Sequence, residues 1–213
     1  MNQEKNEYYI LNFLKDKFPD ATCELNYGSI FQLLIAVMLS AQCTDKRVNM
    51  VTKTLFDKFP DAESLSKANI EEVEEIIKMC GMYHQKSKNI ISCSKKLIED
   101  FNGEVPKTIE ELTTLDGVGR KTASVVLCEG YHIPAIPVDT HIFRLSKRLG
   151  LSNGKNVEEV EKDLRRLYKK EDWIDLHFRL VLFGRYYCKA IKPQCENCEL
   201  KNICKGGNKD VCR

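Results

Sequence analysis

The sequence predicts an all-α protein, and three observations carry that expectation. Apolar residues recur every three or four positions along most of the chain. No segment alternates apolar and polar residues like a half-buried strand, and the Asp116-Gly117 pair lies between helical stretches rather than between strands. Gly81, Gly103 and Pro106 fall at the ends of periodic stretches, where helix breakers belong. At 213 residues and 43% hydrophobic, the chain holds one sizeable core or two small ones. Pro134 and Pro137 bar a regular helix from Tyr131 to Pro137 and make that stretch the expected seam.

The elements follow in order. Thr44 stands as an N-cap before Val48, Val51, Leu55 and Phe59, which share one helical face. Asn69, with Glu72 three residues on, caps a helix carrying Ile70, Val73, Ile76 and Ile77, which Gly81 ends. The acidic run Glu71, Glu72, Glu74 and Glu75 reads as its solvated face, favoured near the N-terminus by the dipole. Ile90, Leu97, Ile98 and Phe101 define another helix, stopped by Gly103 and Pro106. A short helix ends near Leu115, a second begins near Arg120, and Asp139 marks a further start. Asn156 precedes Val157, Val160, Leu164 and Leu167, and a last long helix is expected from about Trp173 to Ala190.

Composition narrows the function. The longest apolar run, Leu33 to Leu39, is seven residues and too short to span a bilayer. Glu4, Lys5, Glu7 and Lys15 interrupt every apolar stretch near the start, so no signal peptide is expected. The expectation is a cytoplasmic protein with no membrane association. Ten cysteines in such a chain argue for metal or free thiols rather than disulfides. The net charge of +2 does not by itself imply nucleic acid.

Five cysteines fall in the last thirty residues, and four of them, Cys188, Cys195, Cys198 and Cys204, are spaced C-x6-C-x2-C-x5-C. Such thiolates can close around one metal centre. Spacing alone leaves zinc and iron–sulfur both open, although zinc sites more often use two short pairs and only one C-x2-C occurs here. The other six, Cys23, Cys43, Cys80, Cys93, Cys128 and Cys212, lack ligand-like spacing and read mostly as small apolar fillers. From Gly184 onward seven basic residues face three acids, a surplus that fits either phosphate contact or a solvated tail offsetting thiolate charge.

Leu115-Asp116-Gly117-Val118-Gly119-Arg120-Lys121-Thr122-Ala123 is the second informative stretch. Two glycines two apart allow a tight turn with positive φ and no side chain in the way. Amides at such a turn, opening a helix, form a grip on an anion that ignores base sequence. Eighteen residues after Lys121 comes Val138-Asp139-Thr140-His141. Taken alone, Asp139 is an N-cap and His141 a structural residue.

Together these stretches resemble the endonuclease III family of DNA glycosylases, in the helix-hairpin-helix superfamily. The resemblance covers nearly the whole chain. Leu33 to Asp45 matches the family's early helix and the segment after it. Gly81-Met82-Tyr83 matches a loop that fills the gap in DNA, and Asn102 to Pro106 leads into the hairpin. Val138 to His141 matches the aspartate motif, and the cysteine spacing equals the family's [4Fe-4S] loop. The family usually has proline where this chain has Asp116. That carboxylate would repel DNA, cap the next helix or form an Asx-turn. Met82 replaces the commoner leucine, and His84 and Gln85 also depart from the pattern.

The resemblance implies two all-α domains. A six-helix barrel with the helix-hairpin-helix covers about residues 23–133. A discontinuous iron–sulfur domain joins 1–22 to 134–213, with the active site in the groove between the two. It implies a bifunctional base-excision-repair enzyme, acting as a monomer on double-stranded DNA that holds oxidised pyrimidines or abasic sites. Lys121 would be the nucleophile at C1′, reactive as a neutral amine that Arg120 and the helix N-terminus favour, and Asp139 its partner. Gln42 and Met82 would plug the hole left by the extruded base. Gly117, Val118, Gly119 and Arg120 would hold phosphate, and so would Lys189 and Lys192, stiffened by the [4Fe-4S] cluster on the four cysteines. Three rivals stand beside this reading: a glycosylase without lyase chemistry, which lacks a lysine at position 121; a noncatalytic DNA-binding module; and a redox protein.

Overall fold

In the computed structural model, which describes residues 3–205, every regular element is helical and no strand occurs among the described residues. The α-helices are α1 Gln3–Lys17, α2 Ile30–Leu39, α3 Asp45–Lys58, α4 Ala62–Ser66, α5 Ile70–Ile77, α6 Tyr83–Phe101, α7 Ile109–Leu112, α8 Arg120–Gly130, α9 Thr140–Arg148, α10 Val157–Leu167 and α11 Trp173–Leu182. The chain divides into two compact units, Glu24–Ile133 and the pair of segments Met1–Cys23 and Pro134–Arg213.

In the unit Glu24–Ile133, α2 is the centre. Eight of its ten residues, Phe31 and Leu33 to Leu39, are buried, so the short apolar run is a helix apolar on every side. It packs against α3, α6 and α8. A side chain at Gly130, the last residue of α8, would come within 3.1 Å of Leu33, so the helices touch closely there. α6 buries Lys86, Ile90, Cys93 and Leu97 along one stripe and packs against α4 and α5 as well. It begins seven residues before Ile90, the first apolar anchor the sequence marks, and Ile98 lies off the stripe at 39% exposed.

Most expected caps hold. Asn69 accepts from the N–H groups of Glu71 and Glu72 at 2.8 and 3.2 Å, and Asn156 from Glu159 at 2.9 Å. α5 ends at Ile77, before Gly81. Thr44 precedes α3 with extended backbone but makes no side-chain cap bond.

In the other unit, Ile10 and Leu14 of α1 pack with Ile142 and Leu145 of α9, Val160 and Leu164 of α10, and Leu176 and Leu180 of α11. Phe183 lies among them, edge-on to Phe13 at 5.5 Å and stacked on Tyr187 at 5.4 Å. The expected single helix from Trp173 to Ala190 is corrected. α11 stops at Leu182 and widens into a π-turn over Phe183–Tyr187, where the Cys188 N–H donates to the Phe183 carbonyl at 2.7 Å. The cause is local. A side chain at Gly184 would meet His141 Cβ at 2.8 Å, so α9 presses on the backbone there. Arg144 of α9 also draws the carbonyls of Gly184 and Cys188 outward with bonds of 2.8 and 3.1 Å.

Candidate functional site

The unit Glu24–Ile133 brings Gln42 and Met82 to neighbouring loops. Gln42 follows the end of α2 and Met82 opens α6; both are exposed, with φ of +53° and +58°. Left-handed backbone at a side-chain-bearing residue costs about 1–2 kcal/mol and persists where the surroundings enforce it. A Cβ at Gly81 would lie 4.0 Å from the Gln42 carbonyl oxygen. The thiols of Cys43 and Cys80, next to these loops, are hydrogen-bonded to each other. Burial, and then the Cys43 thiol, push Cys80 up to about 11 against the pull of Lys86 and Arg47. Beneath both loops lies Lys86, buried, with Nζ on the carbonyls of Leu39 and Ala41.

Helix starts in this unit fall into two sets. Side chains cap α2, α4, α5 and α7, through Ser29, Asp61, Asn69 and Thr108. None caps α3, α6 or α8, whose N-cap residues are Thr44, Met82 and Gly119. These three starts adjoin Gln42, contain Met82 and follow the glycine turn. Uncapped first-turn N–H groups are open donors for an anion.

The turn divides labour between its glycines. Leu115 and Val118 are buried anchors, and the Val118 N–H donates to the Leu115 carbonyl at 3.1 Å. Gly117 has φ +77°, and a Cβ there would sit 2.8–2.9 Å from Asn89 of α6. Gly119 has extended backbone (φ −87°, ψ 171°), and a Cβ there would meet nothing within 4 Å. Positive φ therefore belongs to Gly117 alone; Gly119 leaves the approach clear. Asp116 accepts a hydrogen bond from Ser92 Oγ of α6, which ties its carboxylate back to the protein, and no side chain caps α8. Arg120 and Lys121 are the first two residues of α8, both exposed.

In the other unit, Asp139 caps α9: Oδ1 accepts from the Ile142 N–H at 2.8 Å. His141 packs on Gly184 and shares a 3.3 Å contact with Arg144. Cys188, Cys195, Cys198 and Cys204 line one cavity with Leu149, Phe183 and Tyr187. Leu200, fully buried, fastens this loop to the core. Burial raises the Cys198 thiol, and the neighbouring Cys188 and Cys204 thiols add to that. Among the described residues no three His, Cys, Asp or Glu side chains form a preassembled metal site. Lys189 and Lys192 are exposed beside Cys188, and Lys192 has φ +52°. Cys212 lies outside the described residues.

Three residues that no sequence signal singled out hold these parts. Arg148 donates to Cys188 Sγ at 3.4 Å and to the carbonyls of Lys189 and Ala190 at 2.7 and 3.1 Å. Arg144, four residues earlier on α9, holds Cys188 from its carbonyl. The third is Lys86, whose only mark is a charge four residues before Ile90 on a buried stripe.

Comparison with known proteins shows the family. A family model described as the HhH-GPD superfamily base excision DNA repair protein matches residues 35–170. Endonuclease III of Bacillus subtilis is 50% identical over 202 residues, 94% of this chain and 92% of the relative. Endonuclease III of Escherichia coli K12 is 44% identical over 96% of this chain and 97% of its own. A solved trapped endonuclease III–DNA covalent intermediate superposes with a TM-score of 0.94 at 47% identity, covering 98% of this chain and 99% of that one. A non-covalent endonuclease III–DNA complex matches equally, with a TM-score of 0.94 and 98% of each chain covered. A thermostable thymine-DNA glycosylase, 21% identical, shares the fold with a TM-score of 0.86 over 96% of this chain and 98% of its own. The chain belongs to the HhH-GPD superfamily of base excision DNA repair proteins and, within it, to the endonuclease III family.

Proposed function

We propose that this chain is a bifunctional DNA glycosylase and abasic-site lyase that removes oxidised pyrimidines from duplex DNA. The observation that carries the reading is Lys121: an exposed amine on the second residue of a helix whose uncapped N-terminus follows a cleared glycine turn. Donors that hold a backbone phosphate there set the amine one residue from the grip.

The reaction follows from the chemistry of that amine. Neutral Lys121 attacks C1′ of the damaged nucleotide, the N-glycosidic bond breaks, and the base departs with its electron pair. Loss of the ring oxygen bond leaves a Schiff base between Nζ and C1′. Removal of a C2′ proton then expels the 3′ phosphate by β-elimination and cuts the strand on the 3′ side. Asp139 stabilises the cationic sugar and takes a proton from the amine; its N-cap bond uses Oδ1. Gln42 and Met82 fill the space of the extruded base. Gly117, Val118, Gly119 and Arg120 hold one phosphate, and Lys189 and Lys192 others.

The unit Glu24–Ile133 is proposed as the barrel domain with the hairpin, and Met1–Cys23 with Pro134–Arg213 as the iron–sulfur domain. Four thiols lining one cavity, on a loop anchored by Leu200 and Arg148, together with membership of the endonuclease III family, support a [4Fe-4S] cluster held by Cys188, Cys195, Cys198 and Cys204. When bound, the cluster cross-links the loop; the chain's own Lys189 and Lys192 do the binding. No described helix is long and apolar enough to cross a membrane. We place the enzyme in the cytoplasm as a monomer on duplex DNA. The test is strand nicking of a duplex with one thymine glycol. The native chain nicks it, and Lys121→Gln binds the duplex without nicking. Nicking by Lys121→Gln would overturn the assignment.

A further inference from the structure

Lys86 is a buried cation that the proposed chemistry leaves unused. It is 6% exposed. Its Nζ donates to the Leu39 carbonyl at 2.9 Å and to the Ala41 carbonyl at 2.7 Å. Leu39 is the last residue of α2 and Ala41 immediately precedes Gln42. Its backbone N–H donates to the Met82 carbonyl at 3.0 Å. One residue is therefore bonded to the chain beside each of the two left-handed, exposed positions 42 and 82.

We infer that Lys86 is a positioning residue that holds Gln42 and Met82 in fixed register, so that they enter the DNA stack as one wedge; this rests on the reading of those two as plug residues. The end of α2 attracts a cation through its dipole, and α2 has no basic residue in its own last turn, so Lys86 supplies that charge from another helix. A carbonyl that accepts from a buried ammonium cannot swing freely, and both strained backbones depend on such restraint. Gly81 and the Cys43–Cys80 thiol contact close the space between the loops, and Lys86 bonds to both: its ammonium to the end of α2, and its backbone N–H, in the first turn of α6, to Met82. A duplex pushes back on any wedge as it is bent and unstacked, so a rigid pair works where a loose pair folds away.

The test separates extrusion from chemistry. Single-turnover excision is measured on a duplex with one thymine glycol, and strand cleavage on a single-stranded oligonucleotide with one abasic site, which needs no extrusion. Lys86→Met is expected to slow the duplex reaction by about 10- to 100-fold and the single-stranded one by less than about twofold. Lys86→Arg keeps the charge but not the compact donor geometry and should lie between. In a Gln42→Ala/Met82→Ala background, Lys86→Met should cost nothing further. Equal slowing on both substrates, no slowing on the duplex, or full additivity in that background would overturn the assignment. Where Lys86→Met does not fold, Lys86→Arg in the same background decides by the same criterion. A native chain inactive on both substrates would refute the glycosylase–lyase reading instead. A Gln42→Ala/Met82→Ala enzyme with native duplex activity would refute the plug reading and this inference with it.

Discussion

Alanine at Gly117 and alanine at Gly119 should fail in opposite ways. At Gly117 the new Cβ inherits φ +77°, which costs an L-residue about 1–2 kcal/mol. It also meets Asn89 Nδ2 at 2.8 Å and Asn89 Cβ at 2.9 Å. The amide end of Asn89 can rotate, but its Cβ is fixed to α6, so the clash persists and adds about 1–3 kcal/mol. The sum, about 2–5 kcal/mol, lowers the thermal midpoint of a chain this size by roughly 4–20 °C. At Gly119 the backbone is ordinary and the space is empty, so only the weaker N-cap preference of alanine is lost, about 1 kcal/mol or less. Its methyl group instead enters the cleared approach to the start of α8. Losing one charge-assisted bond to phosphate there should weaken duplex binding by about 10- to 100-fold, equivalent to roughly 1.5–3 kcal/mol. Calorimetric melts and fluorescence anisotropy on an undamaged duplex read the two effects separately. Equal melting shifts for the two variants, or native DNA affinity in Gly119→Ala, would refute this division of labour.

Three further outcomes follow. Asp116→Pro should tighten nonspecific DNA binding, most at low salt, because it removes a carboxylate beside the phosphate grip and sacrifices only an exposed bond to Ser92; unchanged affinity across a salt series would contradict it. Burial, then Asp116, push the Cys93 thiol up to about 12 from 9.0. The unfolded chain therefore loses that proton first, so stability holds below pH 9 and falls by up to about 1.4 kcal/mol per pH unit between 9 and 12. Cys93→Ala should flatten that decline in denaturant titrations. Arg148→Ala frees the chain at Lys189 and Ala190, and should reduce both DNA affinity and the salt slope of binding while leaving the α2–α8 unit's melt unchanged.

What the sequence reveals and hides follows from the range of the forces involved. Caps and amphipathic faces are local, so the starts of α5, α9 and α10 are legible from Asn69, Asp139 and Asn156 alone. The break after Leu182 is not, because contact with His141 and two bonds from Arg144, some forty residues away, impose it. The glycine turn is visible as a motif, but which glycine needs positive φ depends on Asn89 of α6. Gln42 and Met82 are named by resemblance; that their backbones are left-handed, and that Lys86 bonds beside both, emerges only when α2 and α6 are packed. A lysine on an apolar stripe carries no periodic signal, since its meaning lies in carbonyls 45 and 47 residues away.

The most direct measurement is borohydride trapping on a duplex with one thymine glycol or one abasic site, comparing the native chain with Lys121→Gln. A lysine that attacks C1′ leaves an imine, which borohydride reduces to a permanent link. The account predicts a covalent protein–DNA complex with the native chain and none with Lys121→Gln, although both bind the duplex. A native chain that binds tightly yet yields no complex, or a Lys121→Gln chain that still yields one, would contradict it.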